Sequence, residues 1–217
     1  MSAAKKAQSA ALSGSKEELA AKAAEDPVFL GEVLDALNGD NRSQRVLAAR
    51  TVHALAIHAP ETLRAHGNAL SEALEKPEAQ TRWEILGALE KIVAVDARVA
   101  EKALVSAAEE HGLHDPDSGV VRLAAFRLLG AYGATTERRS EKIWPWMEEA
   151  VRVYHGDTEF PAMLVGVIRL VTGGASDRVK LAAAETMAFD AEHSKGLVGR
   201  RAKKIVECAP KRRRRKT

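Results

Sequence analysis

Apolar side chains recur three and four positions apart along most of the chain, the spacing that lines one face of an α-helix. The clearest stretch is residues 117–133, DSGVVRLAAFRLLGAYG. An acidic start, then Val120-Val121-Arg122, a run of small and aliphatic residues, and Leu129-Gly130 read as one packed helix with its own stop. Four other stretches share this outline. Arg45 opens RVLAARTVHALA, Arg82 opens RWEILGALEKIV, Met163 opens MLVGVIRLVTGG without the arginine, and Arg200 opens RRAKKIVECA. Counting Arg122, the five openings lie 37, 40, 41 and 37 residues apart. A period near 40 is what an array of helix pairs gives.

The segments between these openings supply partner helices. Residues 60–76 place Leu63, Leu70 and Leu74 at helical spacing behind Pro60 in a first-turn position. Residues 96–111 place Val99, Ala103, Leu104 and Ala107 on one face, with Asp96 as the N-cap and Gly112 as the stop. Residues 137–153 carry Ile143, Trp146, Met147, Ala150 and Val151, and Pro145 is expected to kink or restart that helix. Residues 176–189 repeat the pattern behind a Ser176 cap, and residues 26–37 do so with Pro27 at the first helical position and Gly39 past the end. No stretch alternates with period two between turns; VRVYH, residues 151–155, comes nearest and ends the preceding helix more easily. The pattern predicts an all-α chain of about ten helices in five antiparallel pairs, with an extra N-terminal helix allowed.

Composition agrees with a folded helical protein: 46% of residues are hydrophobic, 29% charged and only 4% aromatic. Charge changes the picture once it is divided. The net +3 comes from 33 basic and 30 acidic residues, and six of the basic ones are Lys211, Arg212, Arg213, Arg214, Arg215 and Lys216. Without them 27 basic face 30 acidic residues, so the body is net −3 and the basic balance belongs to a tail. No apolar run approaches the roughly 20 residues of a membrane span. The lone Cys208 leaves no internal disulfide, and with no secretory pattern at the N-terminus a cytoplasmic location is expected.

The repeat resembles HEAT repeats. The residues that carry the likeness are Val121-Arg122 preceded by Asp117, Ala124 and Ala125, and Leu129-Gly130. Gln44-Arg45 with Ala48-Ala49, and Asp177 with Val179-Lys180-Leu181-Ala182, echo parts of it. Met163 in place of the arginine, Trp83 at a usually small or aliphatic site, and the 37-residue intervals depart from the family. The resemblance implies a right-handed α-solenoid of about five HEAT-like helix pairs over residues 26–209. Second helices are expected near 43–58, 79–95, 118–132, 161–172 and 195–208. They follow an Ala-rich segment, 1–25, partly helical or disordered, and precede a basic disordered tail, 210–217. It also implies that Arg45, Arg82 and Arg122 form a structural ladder with acidic partners, and that second helices line the concave side. Helical phase then selects Arg50, His53, Glu90, Arg127 and Arg169 as partner-contacting positions.

Candidate chemistry is sparse. In HGLHD, His111, His114, Asp115 and Asp117 come nearest to a metal cluster, but the glycine and proline make this a turn in which Asp117 caps the next helix. No nucleophile elbow, phosphate loop or dinucleotide glycine pattern occurs, so neither enzyme activity nor a metal, cofactor or small-molecule substrate is expected. HEAT-like alkylpurine DNA glycosylases set tryptophans and a carboxylate around a lesion; Trp144 and Glu148, four apart, are the matching pair here. The tail, with Arg200, Arg201, Lys203 and Lys204 on the adjoining helix, is suited to a phosphate backbone or another acidic partner, the ribosome included. The sequence thus favours a non-enzymatic scaffold binding a protein on its curved helix face. A nucleic-acid-associated protein is the alternative, and a glycosylase the enzyme reading.

Overall fold

Short polar side chains open most helices by accepting backbone N–H groups that a first turn leaves unpaired. Ser15 does so in a reciprocal box with Glu18, and Asp26, Asn41, Ser118, Thr136 and Ser176 each accept from two or three residues ahead. The structure, a computed structural model, describes residues 11–210. Among them, eleven α-helices run α1 Lys16–Glu25, α2 Pro27–Asn38, α3 Arg42–His58, α4 Gly67–Ala73, α5 Ala79–Val93, α6 Leu104–Ala108, α7 Gly119–Gly133, α8 Glu137–Val153, α9 Phe160–Thr172, α10 Asp177–His193 and α11 Gly196–Glu207. Two 3-10 segments, Pro60–His66 and Ala97–Ala103, lead into α4 and α6. No strand occurs among the described residues.

The helices form two layers. In one, α1, α3, α5, α7, α9 and α11 pack side by side in that order. The other contains α2, the 3-10 segments with α4 and α6, then α8 and α10. No single pair can hide its apolar face, but stacking buries a continuous slab between the layers. That slab is made of residues such as Leu37, Leu55, Leu63, Leu89, Phe126, Met147, Leu170 and Ile205, each almost wholly removed from water.

The arginine near the start of α3, α5 and α7 staples consecutive repeats. Arg45 bonds Glu78, which precedes α5, through Nε at 3.1 Å and through Nη2. Its Nη1 donates to the Gly39 carbonyl in its own loop. Arg82 repeats this one repeat later: Nε and Nη2 donate to Asp115 Oδ2 at 3.1 and 2.6 Å, and Nη1 donates to the Lys76 and Pro77 carbonyls. Arg122 donates to the Asp115 carbonyl, lies over the Tyr154 ring and reaches Asp157 at 3.5 Å. Where Met163 interrupts the series, Arg201 reaches back from α11 to the Pro161 carbonyl.

Three local expectations are corrected. Asp117 does not cap α7; Ser118 does, while the buried Asp115 accepts from the Asp117 and Ser118 amides as well as pairing with Arg82. The helices expected over 60–76 and 96–111 are each a 3-10 turn followed by a short α-helix. There the two segments press together so closely that a Cβ on Gly67 would lie 2.9 Å from the Val99 carbonyl oxygen. Pro145 does not break α8, which runs through it with the proline on its exposed side.

Candidate partner-binding surface

An interior helix of the α3–α5–α7–α9 row has neighbours on two sides and the second layer on a third. One face remains for solvent, and its residues are those the core leaves uncovered. On α3 these are Val46, Arg50, His53 and Ile57; on α5, Trp83, Gly87, Glu90 and Lys91; on α7, Leu123 and Arg127; on α9, Val165 and Arg169. All five positions chosen by helical phase, Arg50, His53, Glu90, Arg127 and Arg169, therefore lie on this one face.

An ion pair marks its curvature. Arg169 Nη1 on α9 lies 2.5 Å from Glu90 Oε1 on α5, although α7 stands between those helices. Two helix spacings amount to roughly 16–20 Å, and side chains bridge that span only where the row bends toward them. This face is the inner, concave one. Close packing shortens the span further: a Cβ on Gly130 of α7 would lie 2.3 Å from the Gly166 carbonyl oxygen of α9, so the two backbones touch. Glu90, Lys91, Arg127, Val165, Gly166 and Arg169 line the resulting cleft of about 300 Å³. Glu90 also meets Lys91 at 3.6 Å, which leaves its single negative charge shared between two cations.

Toward the N-terminal end the face has a second fixed feature. His53 Nδ1 lies 2.6 Å from Glu84 Oε2, and the Glu84 side chain is only 6% exposed. The imidazole covers Gly87, where a Cβ would come within 2.7 Å of the ring. The ring also meets Trp83 edge to face, with centroids 6.5 Å apart. His53 is thus a positioned groove wall rather than a mobile side chain.

The other sequence-flagged residues lie elsewhere. Residues 211–216, the basic tail, lie outside the described residues. On α11, Arg200, Lys203 and Lys204 are exposed, whereas Arg201 is half-buried and holds α11 to α9. His111 pairs with Glu75 at 3.1 Å, His114 lies 3.4 Å from the Tyr154 hydroxyl, and Asp115 belongs to Arg82. No group of three or more metal-ligating side chains forms among the described residues. Trp144 is 6% exposed and faces the core, and Glu148 is engaged by Arg152 and Thr186. Trp144 thus offers no exposed ring for a base to stack on. A cleft of about 780 Å³ lies where Arg138, Arg139 and Lys142 of α8 surround Glu101 and Tyr132. Burial raises the Tyr132 phenol above its ordinary range, so this tyrosine stays protonated. No helix among the described residues is long and apolar enough to cross a membrane.

Sequence reasoning missed the apolar half of the inner face: Val46, Leu123 and Val165, each four residues before an arginine. The signal was present as an apolar-x-x-x-Arg pattern in three second helices.

No family profile matches the chain, and no curated protein sequence matches it. Solved structures do. A designed armadillo repeat protein in complex with the peptide (KR)4 superposes with a TM-score of 0.72 at 13% identity, covering 90% of this chain and 90% of its own. Another designed armadillo repeat protein gives 0.67 at 14% identity, covering 93% and 90%. An engineered protein gives 0.66 at 14% identity, covering 89% and 87%. Likeness of this extent at such low identity concerns the fold, and it agrees with the two helical layers: the chain folds as an all-α repeat solenoid of the HEAT/armadillo-like kind.

Proposed function

We propose that this protein is a non-enzymatic scaffold that holds a segment of a protein partner on its inner helix face. The observation that carries the reading is the Glu90–Arg169 pair across α7, which marks the inward bend of that face beside a cleft. Side chains lining it are presented by rigid helices, the arrangement best able to hold a partner at low ordering cost. The (KR)4 complex of the designed armadillo repeat protein supports the same use of the fold. Affinity capture tests it, comparing the unaltered chain with Arg127→Glu and Val165→Asp on the inner face and Arg152→Glu on the outer layer. The same partner should disappear with both inner variants and persist with the outer one. Retention by all three removes the reading.

A second reading keeps the C-terminal cations. Arg200, Lys203 and Lys204 are exposed on α11 directly before the tail. In this reading they and the tail hold a nucleic-acid backbone. Six tail contacts would give a log–log salt slope of about −5 on duplex DNA. Anisotropy across a salt series, with a chain ending at Pro210 for comparison, should show that slope flattening on truncation. Absence of binding at moderate salt removes this reading.

A further inference from the structure

Resting on the inner-face reading, we infer that the partner segment is an extended acidic peptide with apolar residues interspersed among its acids. The inner face repeats one pair of side chains on three helices: Val46 with Arg50, Leu123 with Arg127, and Val165 with Arg169. Residues four apart on a helix stand side by side, so each pair offers an apolar contact next to a guanidinium. Arg50 and Arg127 are exposed and meet no acidic side chain among the described residues. Arg169 is 42% exposed and shares Glu90 with Lys91, which leaves a positive excess at the central cleft. The other acid of the face, Glu84, is buried beneath His53. Between the first and second pairs, α5 contributes Trp83, with the His53 ring lying over the side-chain-free Gly87.

Charge is therefore segregated. The chain without its tail carries more acidic than basic residues, yet the cations on this face outnumber the acids left to meet them. Complementary charge sets the choice of partner and the speed of encounter, and a carboxylate accepts paired N–H bonds from an arginine fork. A nucleic-acid backbone fits less well. It would set phosphates against Glu90 and leave Val46, Leu123 and Val165 without apolar partners, with only Trp83 available for stacking.

The test uses the full chain and three fluorescent twelve-residue peptides, (Glu-Glu-Leu)4, (Ser-Ser-Leu)4 and (Lys-Lys-Leu)4, followed by anisotropy at two salt concentrations. The acidic peptide should bind best and weaken with salt. Its affinity should fall about tenfold or more in Arg50→Glu/Arg127→Glu, and much less in Arg127→Lys. Both substitutions are on exposed side chains, and an unchanged thermal transition shows that the variants are folded. Equal or better binding of the basic or neutral peptide, sensitive to Val165→Asp, overturns the acidic-partner inference and leaves the inner-face reading standing. Acidic-peptide binding that ignores the double variant but is lost on truncation at Pro210 overturns the inference too, because the tail then accounts for the binding. Binding of none of the three overturns it as well, and the inner-face reading is then decided by the capture experiment.

Discussion

Arg82 and Asp115 show how much one repeat junction asks of single residues. Both are buried, and every N–H the arginine directs at its neighbours finds an acceptor: one carboxylate oxygen and two carbonyls. The other carboxylate oxygen serves two backbone amides. Removing one member strands a charge away from water, so Asp115→Ala should lower unfolding free energy by about 3–5 kcal/mol, read from urea denaturation. The equivalent carboxylate, Glu78, is held below its ordinary range chiefly by its hydrogen bond from Arg45. Asp96 is held at about 2 by the Arg98 side chain and backbone amide. Both groups bind a proton more readily in the unfolded chain, so folding is disfavoured as acid protonates it. Their contribution is complete above the usual carboxylate range, about pH 4, and is lost as pH falls, for Asp96 down to about 2. Stability measured from pH 6 to pH 2 should therefore decline less steeply in Glu78→Gln than in the unaltered chain.

Among elements, the boundaries of α7 separate what the sequence pattern conveys from what local geometry decides. An acid-rich turn before Val120 was evident, but its amides are divided: Asp115 accepts from Asp117 and Ser118, and Ser118 accepts from Val121. Through its other carboxylate oxygen Asp115 also holds Arg82, 33 residues upstream, a pairing the local sequence does not announce. Ser118→Ala should cost about 1 kcal/mol and Asp117→Ala close to nothing, a contrast readable in thermal melts. The 3-10 starts of the second and third outer-layer elements have a similar origin. Apolar spacing in 60–76 and 96–111 correctly placed Leu63, Leu70, Leu104 and Ala107 in the core. It did not reveal how tightly the two segments abut at Gly67 and Val99, a contact made between residues more than thirty apart.

At the scale of the whole molecule, curvature is the property that turns a stack of helices into a surface with an inside. It depends on the contact of α7 and α9 at Gly130 and Gly166, which no side chain larger than hydrogen tolerates. Gly130→Ala should push α9 away, destabilise by about 1–3 kcal/mol and lengthen a spin-label distance measured between α5 and α9. The Glu90–Arg169 pair is partly solvated, so Arg169→Ala should change stability by no more than about 1 kcal/mol. Its effect belongs to the cleft, where the same spin-label pair should show a broader distance distribution.

Much of this protein is written in the chain itself. Apolar periodicity, caps and the roughly 40-residue recurrence of Arg45, Arg82 and Arg122 determined that it is an all-α stack of helix pairs. Each of those signals lies within one helix or recurs at a fixed interval. Helical phase was enough to put Arg50, His53, Glu90, Arg127 and Arg169 on the uncovered face of the row, because an interior helix has only one such face. Tertiary structure alone decided that Glu90 meets Arg169 across 79 residues of sequence, that His53 is fixed over Gly87 by a buried Glu84, and that Arg201 is a staple and not a free cation. Those outcomes depend on how far successive helices turn and how closely they pack. Small residues at contacts between helices set both quantities, and their meaning appears only when the facing residue is known.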